Sequence, residues 1–457
     1  MKRIIPVFIA IVLIIAIGAF SFGVEMIEQI RYSSEEMDMN EYYEMIEKDD
    51  VAIILHDEVI ETKAKLIDGQ YYLDFPTVQS MLNDRFYEDY NEELLLYTTA
   101  NDTAKSSIGT TSYSMGGELL TEDYTISLYQ GEILYVALEY VQKFTNFSFE
   151  GFENPNRIQL NMEWGTITQA EIVKDTNVRY QGGVKSNILR AVEAGETVTV
   201  LEEMETWVKV KTSDSIIGYV EKTKLSDRYN VEQIPVTDYV EEEYTSLTKD
   251  TKINLGWHQV MSADSNSTIS EVIGTATSMN VISPTWFSLT NNDGSFSSIA
   301  SQWYVDYAHE RGIEVWALID NFNTEVSTNE VLSYTSTRAV LIENLVQEVL
   351  AYNIDGINID FEEVGTDVGQ HYIQFIRELS VECRANGIVL SIDNYVPTGG
   401  NSHYHREEQG VVADYVIIMG YDEHWGSGGV AGSVASIGFV EDGITQTLEE
   451  VPANKVI

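Results

Sequence analysis

The sequence predicts an α/β protein whose C-terminal part, from residue 251 onward, is a (β/α)8 TIM barrel behind two small β-rich modules. Strand-like runs alternate with helix-like runs from Thr251 on, the pattern of a parallel sheet covered by helices. Polar residues gather at the C-terminal ends of those strands, where such barrels place their chemistry. Ahead of Thr251 the runs are short, alternating and broken by turn residues, as in small β modules.

The 457 residues suit about three domains. Hydrophobic residues at 44% supply ample core material. Against 27 Lys+Arg stand 73 Asp+Glu, a formal charge of -46. Such a polyanion is repelled by phosphate backbones, which excludes nucleic-acid binding. Anionic wall polymers repel it too, so a grip on a glycan must come from stacking and hydrogen bonds. Cys383 is the sole cysteine, so no intramolecular disulfide forms, and its place in the helical stretch Tyr372 to Asn386 suits a buried thiol. At the N-terminus Met1-Lys2-Arg3 precedes the uncharged, mostly apolar run Ile4 to Val24, long enough to span a bilayer. Residues 1–24 are expected to be an uncleaved single-pass membrane anchor or a cleaved signal. Either way the rest lies outside the cytoplasm, associated with the cell wall.

An acidic spacer, 25–50, leads to the first module, 51–165. Val51 to Leu55 reads as a strand, Asp68-Gly69 as a hairpin turn into Gln70 to Leu73, and Gly131 to Lys143 as a strand entering a helix. The module resembles the small N-terminal α/β domain of copper amine oxidases. No His cluster suggests that it binds copper, and it is expected to be a structural stalk. In the second module, 166–228, Asn177 to Arg179, Val198 to Leu201, Trp207 to Lys211 and Ile217 to Val220 are short alternating strands. Their order resembles a bacterial SH3 domain, which implies a small β-barrel appended to a wall-active enzyme. Trp207 and Tyr219 either form a face for a wall peptide or pack the small barrel. A linker, 229–250, carries the acidic run Glu241 to Glu243.

In 251–457 the candidate strands are Ile253 to Trp257, Asn280 to Thr285, Ile313 to Ile319, Asp355 to Glu362, Ile388 to Asn394, and Tyr415 to Tyr421. Helices are expected at Thr337 to Tyr352 and His371 to Asn386, and Gly312 and Gly387 read as helix-ending caps. Along Asp355-Gly-Ile-Asn-Ile-Asp-Phe-Glu362 side chains alternate, so Asn358, Asp360 and Glu362 share one face. Ile357, Ile359 and Phe361 take the other and suit packing on outer helices. Three polar side chains pointing into a barrel are costly unless they bond one another or serve a ligand.

This segment resembles the Asp-x-x-Asp-x-Asp-x-Glu signature of family 18 glycoside hydrolases, on Asp355, Asn358, Asp360 and Glu362. Met419-Gly-Tyr-Asp422 on the sixth strand is similar to the family's Met-x-Tyr-Asp. The resemblance implies retaining hydrolysis with the substrate's own 2-acetamido group as nucleophile, one of the exceptions to the two-carboxylate scheme. Glu362 would be the general acid/base, Asp360 would orient the acetamido group and stabilise the oxazolinium, and Tyr421 would bond the acetamido carbonyl. Asp355, Asn358, Met419, Asp422, Trp257, Asn394 and Tyr395 complete the expected substrate-binding set. No metal or other cofactor is expected. Asn358 stands where many members have Asp. Being neutral, it can donate to Asp360, which would keep Asp360 ionised. Spore-cortex and wall glucosaminidases resemble this chain there, which points to peptidoglycan, with chitin and a non-catalytic glycan-binding role as alternatives.

Other candidates are less specific. Trp286, Trp316 and Trp425 lie at or near strand ends, with Trp316 equally suited to a core. Asp320 and Asn321 could be subsite residues or helix caps, and His403, His405 and His424 form no metal pattern. The stretch Pro452 to Ile457 reads as the start of a seventh strand, so the barrel is expected to be C-terminally truncated.

Overall fold

The computed structural model describes residues 31–234, 237–274 and 276–457. The chain forms two compact units, one of residues 1–82 and 130–240, the other of 83–129 and 241–457.

In the first unit, Ser148–Phe152, Arg157–Asn161, Asp50–Leu55, Glu58–Ile67, Gln70–Asp74 and Ile133–Ala137 neighbour one another in that order. The turn at Asp68-Gly69 has φ of +50° and +87° and joins the pair Ile67–Gln70, so both central residues need the left-handed region that Asp tolerates and Gly favours. An antiparallel β module follows, with Thr176–Arg179, Thr197–Glu203, Trp207–Thr212 and Ile217–Glu221 among its strands. Val178, Val198, Val208, Val210 and Val220 fill its core. Trp207 and Tyr219 are half-buried and alternate with those valines, so they lie on the face away from this core.

The second unit holds six parallel strands in sequence order: β1 (Leu255–His258), β2 (Val281–Leu289), β3 (Glu314–Asp320), β4 (Gly356–Asp360), β5 (Val389–Tyr395) and β6 (Tyr415–Met419). Helices α1 (Gln302–His309), α2 (Thr335–Tyr352), α3 (Gly369–Asn386) and α4 (Arg406–Val412) connect β2 through β6 in turn, and α5 (Ile437–Glu450) follows β6. Gly312 and Gly387 adopt φ of +70° and +67°, and Gly387 caps α3. Beyond α5, Val456 bridges Val416 of β6 in parallel.

Residues 83–129, within the span expected to form one stalk module, group with the barrel. They form a five-stranded antiparallel meander on α2 and α3. Arg338 of α2 is fully buried, paired with Glu378 of α3 at 3.0 Å and bonded to the Tyr87 hydroxyl. Asp89 accepts from the backbone and side chain of Thr335, which opens α2. Burying an ion pair is tolerable here because each charge finds several partners.

The expected membrane-spanning helix requires a correction. Among the described residues no helix is long and apolar enough to cross a membrane. The two longest, α2 and α3, have 18 residues each and carry Arg338, Glu343 and Glu348, and Arg377, Glu378, Glu382 and Arg384. The segment 1–24 to which the span was assigned lies outside the described residues.

Candidate active site

Alternation and register build the site. Ile357, Ile359 and Phe361 face outward, with Phe361 stacked on Phe375 of α3 at 5.8 Å. Gly356, Asn358 and Asp360 therefore point inward, one above the other. Parallel register puts Trp316, Leu318 and Asp320 of β3 beside them, and Val389 and Ser391 of β5 beside Gly356 and Asn358. The lower interior is an apolar plug of Val281, Trp316, Val389 and Tyr415.

Above the plug the interior turns polar. Asn358 is fully buried; its Oδ1 accepts from Trp257 Nε1 at 3.1 Å and Ser283 Oγ at 3.0 Å, and its Nδ2 donates to Asp393 Oδ1 at 3.0 Å. The expected bond from Asn358 to Asp360 is thus corrected: the amide is turned sideways to β5, and Asp393 Oδ1 accepts its hydrogen bond. Asp360 is pushed up to about 7 by burial first, then by the negative charges of Glu362 and Asp320. Sequence reasoning expected readier ionisation, but without a donor from Asn358 burial prevails. Burial also raises Asp393 well above the usual carboxylate range, with Asp360 adding to it.

Strand β4 ends at Asp360, two residues earlier than expected. The side chain of Asn321 substitutes for a neighbouring strand: its Oδ1 accepts from Glu362 N and its Nδ2 donates to Glu362 O, both at 2.9 Å. The chain then turns at Glu363, with φ +54°. Glu362 is left at the rim, half-buried, with its Oε2 accepting from the Tyr395 hydroxyl at 2.5 Å. Beside it opens a cavity of about 360 Å³ lined by Asn321, Phe322, Asn323, Thr324, Val326 and Thr328. On the other side Trp257 and Tyr421 meet edge to face at 6.2 Å, 39% and 41% exposed, as a wall of aromatic surface. The Tyr421 hydroxyl is held protonated by burial and by the acids Asp393, Asp360 and Glu362.

Asn358, Asp360, Glu362, Tyr395, Trp257 and Tyr421 are thus brought together. Met419, buried in register with Tyr395, lines the interior at the level of that tyrosine. Asp422 is exposed on the loop after β6, with φ +59°. Two expectations need correction. Asp355 lies at the opposite end of the strand from Glu362, where it accepts from Val315 N at 2.8 Å and contacts His309 Nε2 at 2.7 Å; it braces the barrel bottom and is remote from the cleft. Asn394 is buried and faces outward, donating to Gln409 of α4 at 2.7 Å, because it alternates with the inward Asp393 and Tyr395. Trp316 and Trp286 are core residues, whereas Trp425 is exposed. Sequence reasoning missed Asp393 and Ser283. A signal for Asp393 existed: Leu390 and Ile392 set the outward phase of β5, which leaves Ser391, Asp393 and Tyr395 pointing in.

The comparisons fit this arrangement. Residues 174–226 match the bacterial SH3 domain model. An uncharacterized glycosylase of Bacillus subtilis, YvbX, is 28% identical over 40% of this chain and 56% of its own length. The cortical fragment-lytic enzyme of the same organism is 28% identical over 31% of this chain and 35% of its own length. The chain therefore spans between about a third and little more than half of the length of the curated relatives it matches. Among solved structures, the Bacillus cereus spore cortex-lytic enzyme SleL aligns with a TM-score of 0.40 at 19% identity, covering 50% of this chain and 54% of that one. Residues 215–457, more than half of the chain, match the model of glycosyl hydrolases family 18, and the chain belongs to that family.

Proposed function

We propose that this chain is an exported glycosidase that hydrolyses β-1,4 bonds of N-acetylglucosamine-containing glycans by a retaining, substrate-assisted route, with peptidoglycan as its substrate. The observation that carries the reading is the inward column Asn358, Asp360 and Glu362, capped by the Tyr395–Glu362 bond beneath an open cleft. Glu362 sits at the rim with one oxygen held by Tyr395, which leaves the other for the glycosidic oxygen. It protonates that oxygen as the bond breaks, then takes a proton from the water that enters. The substrate's acetamido oxygen attacks its own anomeric carbon. Asp360 lies below the acetamido nitrogen and balances the positive oxazolinium, while Tyr421 donates to the acetamido group. This chemistry needs a 2-acetamido sugar at the cleavage site, so plain glucans and xylans are not substrates. The name of the cortical fragment-lytic relative, and Asn358 in place of Asp, favour peptidoglycan over chitin. The bacterial SH3 module supports the same choice, with Trp207 and Tyr219 offered on its outer face to a wall peptide.

Glu362→Gln tests the reading on purified peptidoglycan and on chitin oligomers. The unmutated chain should release new N-acetylglucosamine reducing ends from peptidoglycan, and the variant should be slower by about 10²- to 10⁴-fold with an unchanged Tm. Equal release by both proteins overturns the role of Glu362. Release from chitin alone moves the substrate to chitin, and binding without cleavage makes the barrel a glycan-binding module.

A further inference from the structure

Two buried carboxylate oxygens at the heart of the barrel, Asp360 Oδ1 and Asp393 Oδ2, have no hydrogen-bond partner among the described residues. The register explains why both can lack one. Asn358 pairs with Ser391 and Ile359 with Ile392, so the next step up the ladder sets Asp360 beside Asp393 on the same inward face. Adjacent strands are about 4.8 Å apart, so two carboxyl groups there are immediate neighbours. Both are at least nine-tenths buried. Two ionised carboxylates in such a place repel strongly with little water to screen them, so one keeps its proton.

The surroundings decide which one. Facing the pair are Glu362 from β4, Asp320 from β3, Tyr421 beyond β6, Tyr372 from α3 and Tyr404 ahead of α4, all of them acids or neutral groups, with the Trp257 indole of β1 also donating toward Asp393. Asp360 stands nearer the rim, next to Glu362. Asp393 is more deeply buried, and its Oδ1 is already engaged by Asn358 Nδ2 at 3.0 Å. Its Oδ2 is therefore the atom left to carry a proton.

We propose that Asp393 is a positioning residue that remains a neutral acid and donates its Oδ2 proton in a hydrogen bond to Asp360 Oδ1, holding Asp360 as the anion the reaction needs. The chain of donors runs from Trp257 and Ser283 into Asn358, from Asn358 into Asp393, and from Asp393 into Asp360. No covalent bond changes; the proton stays on Asp393 throughout. The sequence led us to expect this donor on β4 at position 358, and the structure assigns it to β5. The inference rests on the glycosidase reading for its catalytic consequence but not for the protonation state itself.

Two measurements separate these. Carbon-13 NMR titration of labelled aspartate carboxyls in the whole chain reads the proton without turnover. One aspartate should stay neutral at pH values where Asp360 is already ionised and be missing from Asp393→Asn; if Asp393 ionises below pH 5, the proposal fails whatever the enzyme does. In kinetics, Asp393→Asn keeps an acceptor for Asn358 and a donor for Asp360, so its kcat should stay within about 3-fold. Asp393→Leu removes the donor and should lower kcat by on the order of 10- to 100-fold with KM nearly unchanged. It should also shift the acid limb of the pH profile upward, since Asp360 then ionises less readily. An Asp393→Asn protein that is folded yet as slow as Asp393→Leu would mean that Asp393 works as an anion, which overturns the proposal.

Discussion

The lower and upper halves of the barrel interior are made from the same strands by opposite means. Below, Trp316 stacks on Tyr415 at 5.2 Å between Val281 and Val389, and Gly356 lacks a side chain because a Cβ there would come within 2.7 Å of the Trp316 ring. Above, two to four residues further along the strands, Asn358, Asp360 and Asp393 crowd polar groups together and leave two oxygens without partners among the described residues. The lower half lowers the free energy of the fold through dispersion and apolar burial. The upper half raises it and holds carboxyl groups in the perturbed states that acid–base chemistry uses. One layer of side chains, about 7 Å along a strand, separates the two regimes.

The largest expected effect comes from breaking the lower half. Trp316→Ala removes a fully buried ring and should cost about 3 to 5 kcal/mol, read as a fall in Tm. Whatever remains folded should keep the pH profile of the unmutated chain, because the carboxyl groups lie two layers above, beyond Asn358. A changed profile would show that the plug tunes the site as well as supporting it.

The second prediction concerns the upper half and has a definite sign. Asp360 ionises near 7 in the folded chain against 3.8 ordinarily, so between those values the folded form holds more protons than the unfolded one. Stability therefore falls as pH rises from about 4 to about 7, by up to about 4 kcal/mol, and stays lowered above that. Asp360→Asn should escape the loss: its Tm should exceed that of the unmutated chain at pH 8 and converge with it toward pH 4, while activity collapses. The same ionisation should put the acid limb of kcat/KM near pH 7. A Tm difference that does not vary with pH would refute this account of Asp360.

The smallest expected effect is that of Tyr395→Phe, which keeps the ring and deletes the hydroxyl that Glu362 accepts from. A hydrogen bond to a charged group at a half-buried rim is worth about 1.5 kcal/mol, so kcat should fall roughly 10-fold with little change in Tm. Full activity would leave Asn321, through its two bonds to the Glu362 backbone, as the residue that positions Glu362.

Much of this was legible beforehand wherever local rules suffice. The six barrel strands, the helices α2 and α3 and the glycine caps at 312 and 387 follow from periodicity and from the freedom of Gly at positive φ. Asp355 and Asn394 were misplaced although the alternation that placed Glu362 applies to them too. Asp355 is in phase with Ile357 and Asn394 with Ile392, so neither points into the barrel, and Asp355 also starts the strand whose far end holds the chemistry. The docking of residues 83–129 on α2 and α3 was not legible, because Tyr87, Asp89, Arg338 and Glu378 are individually ordinary surface residue types.

The sequence by itself determined which face of β4 carries Asn358, Asp360 and Glu362, because a strand alternates regardless of its neighbours. It also determined the formal charge of -46, and the motif that places the chain in its family. Only the tertiary structure decided what those side chains touch: that Asn358 donates to Asp393, that Asp393 stands beside Asp360, and that Asn321 replaces a strand partner for Glu362. Those facts depend on the register between strands some thirty to forty residues apart, which is set by packing across the whole barrel.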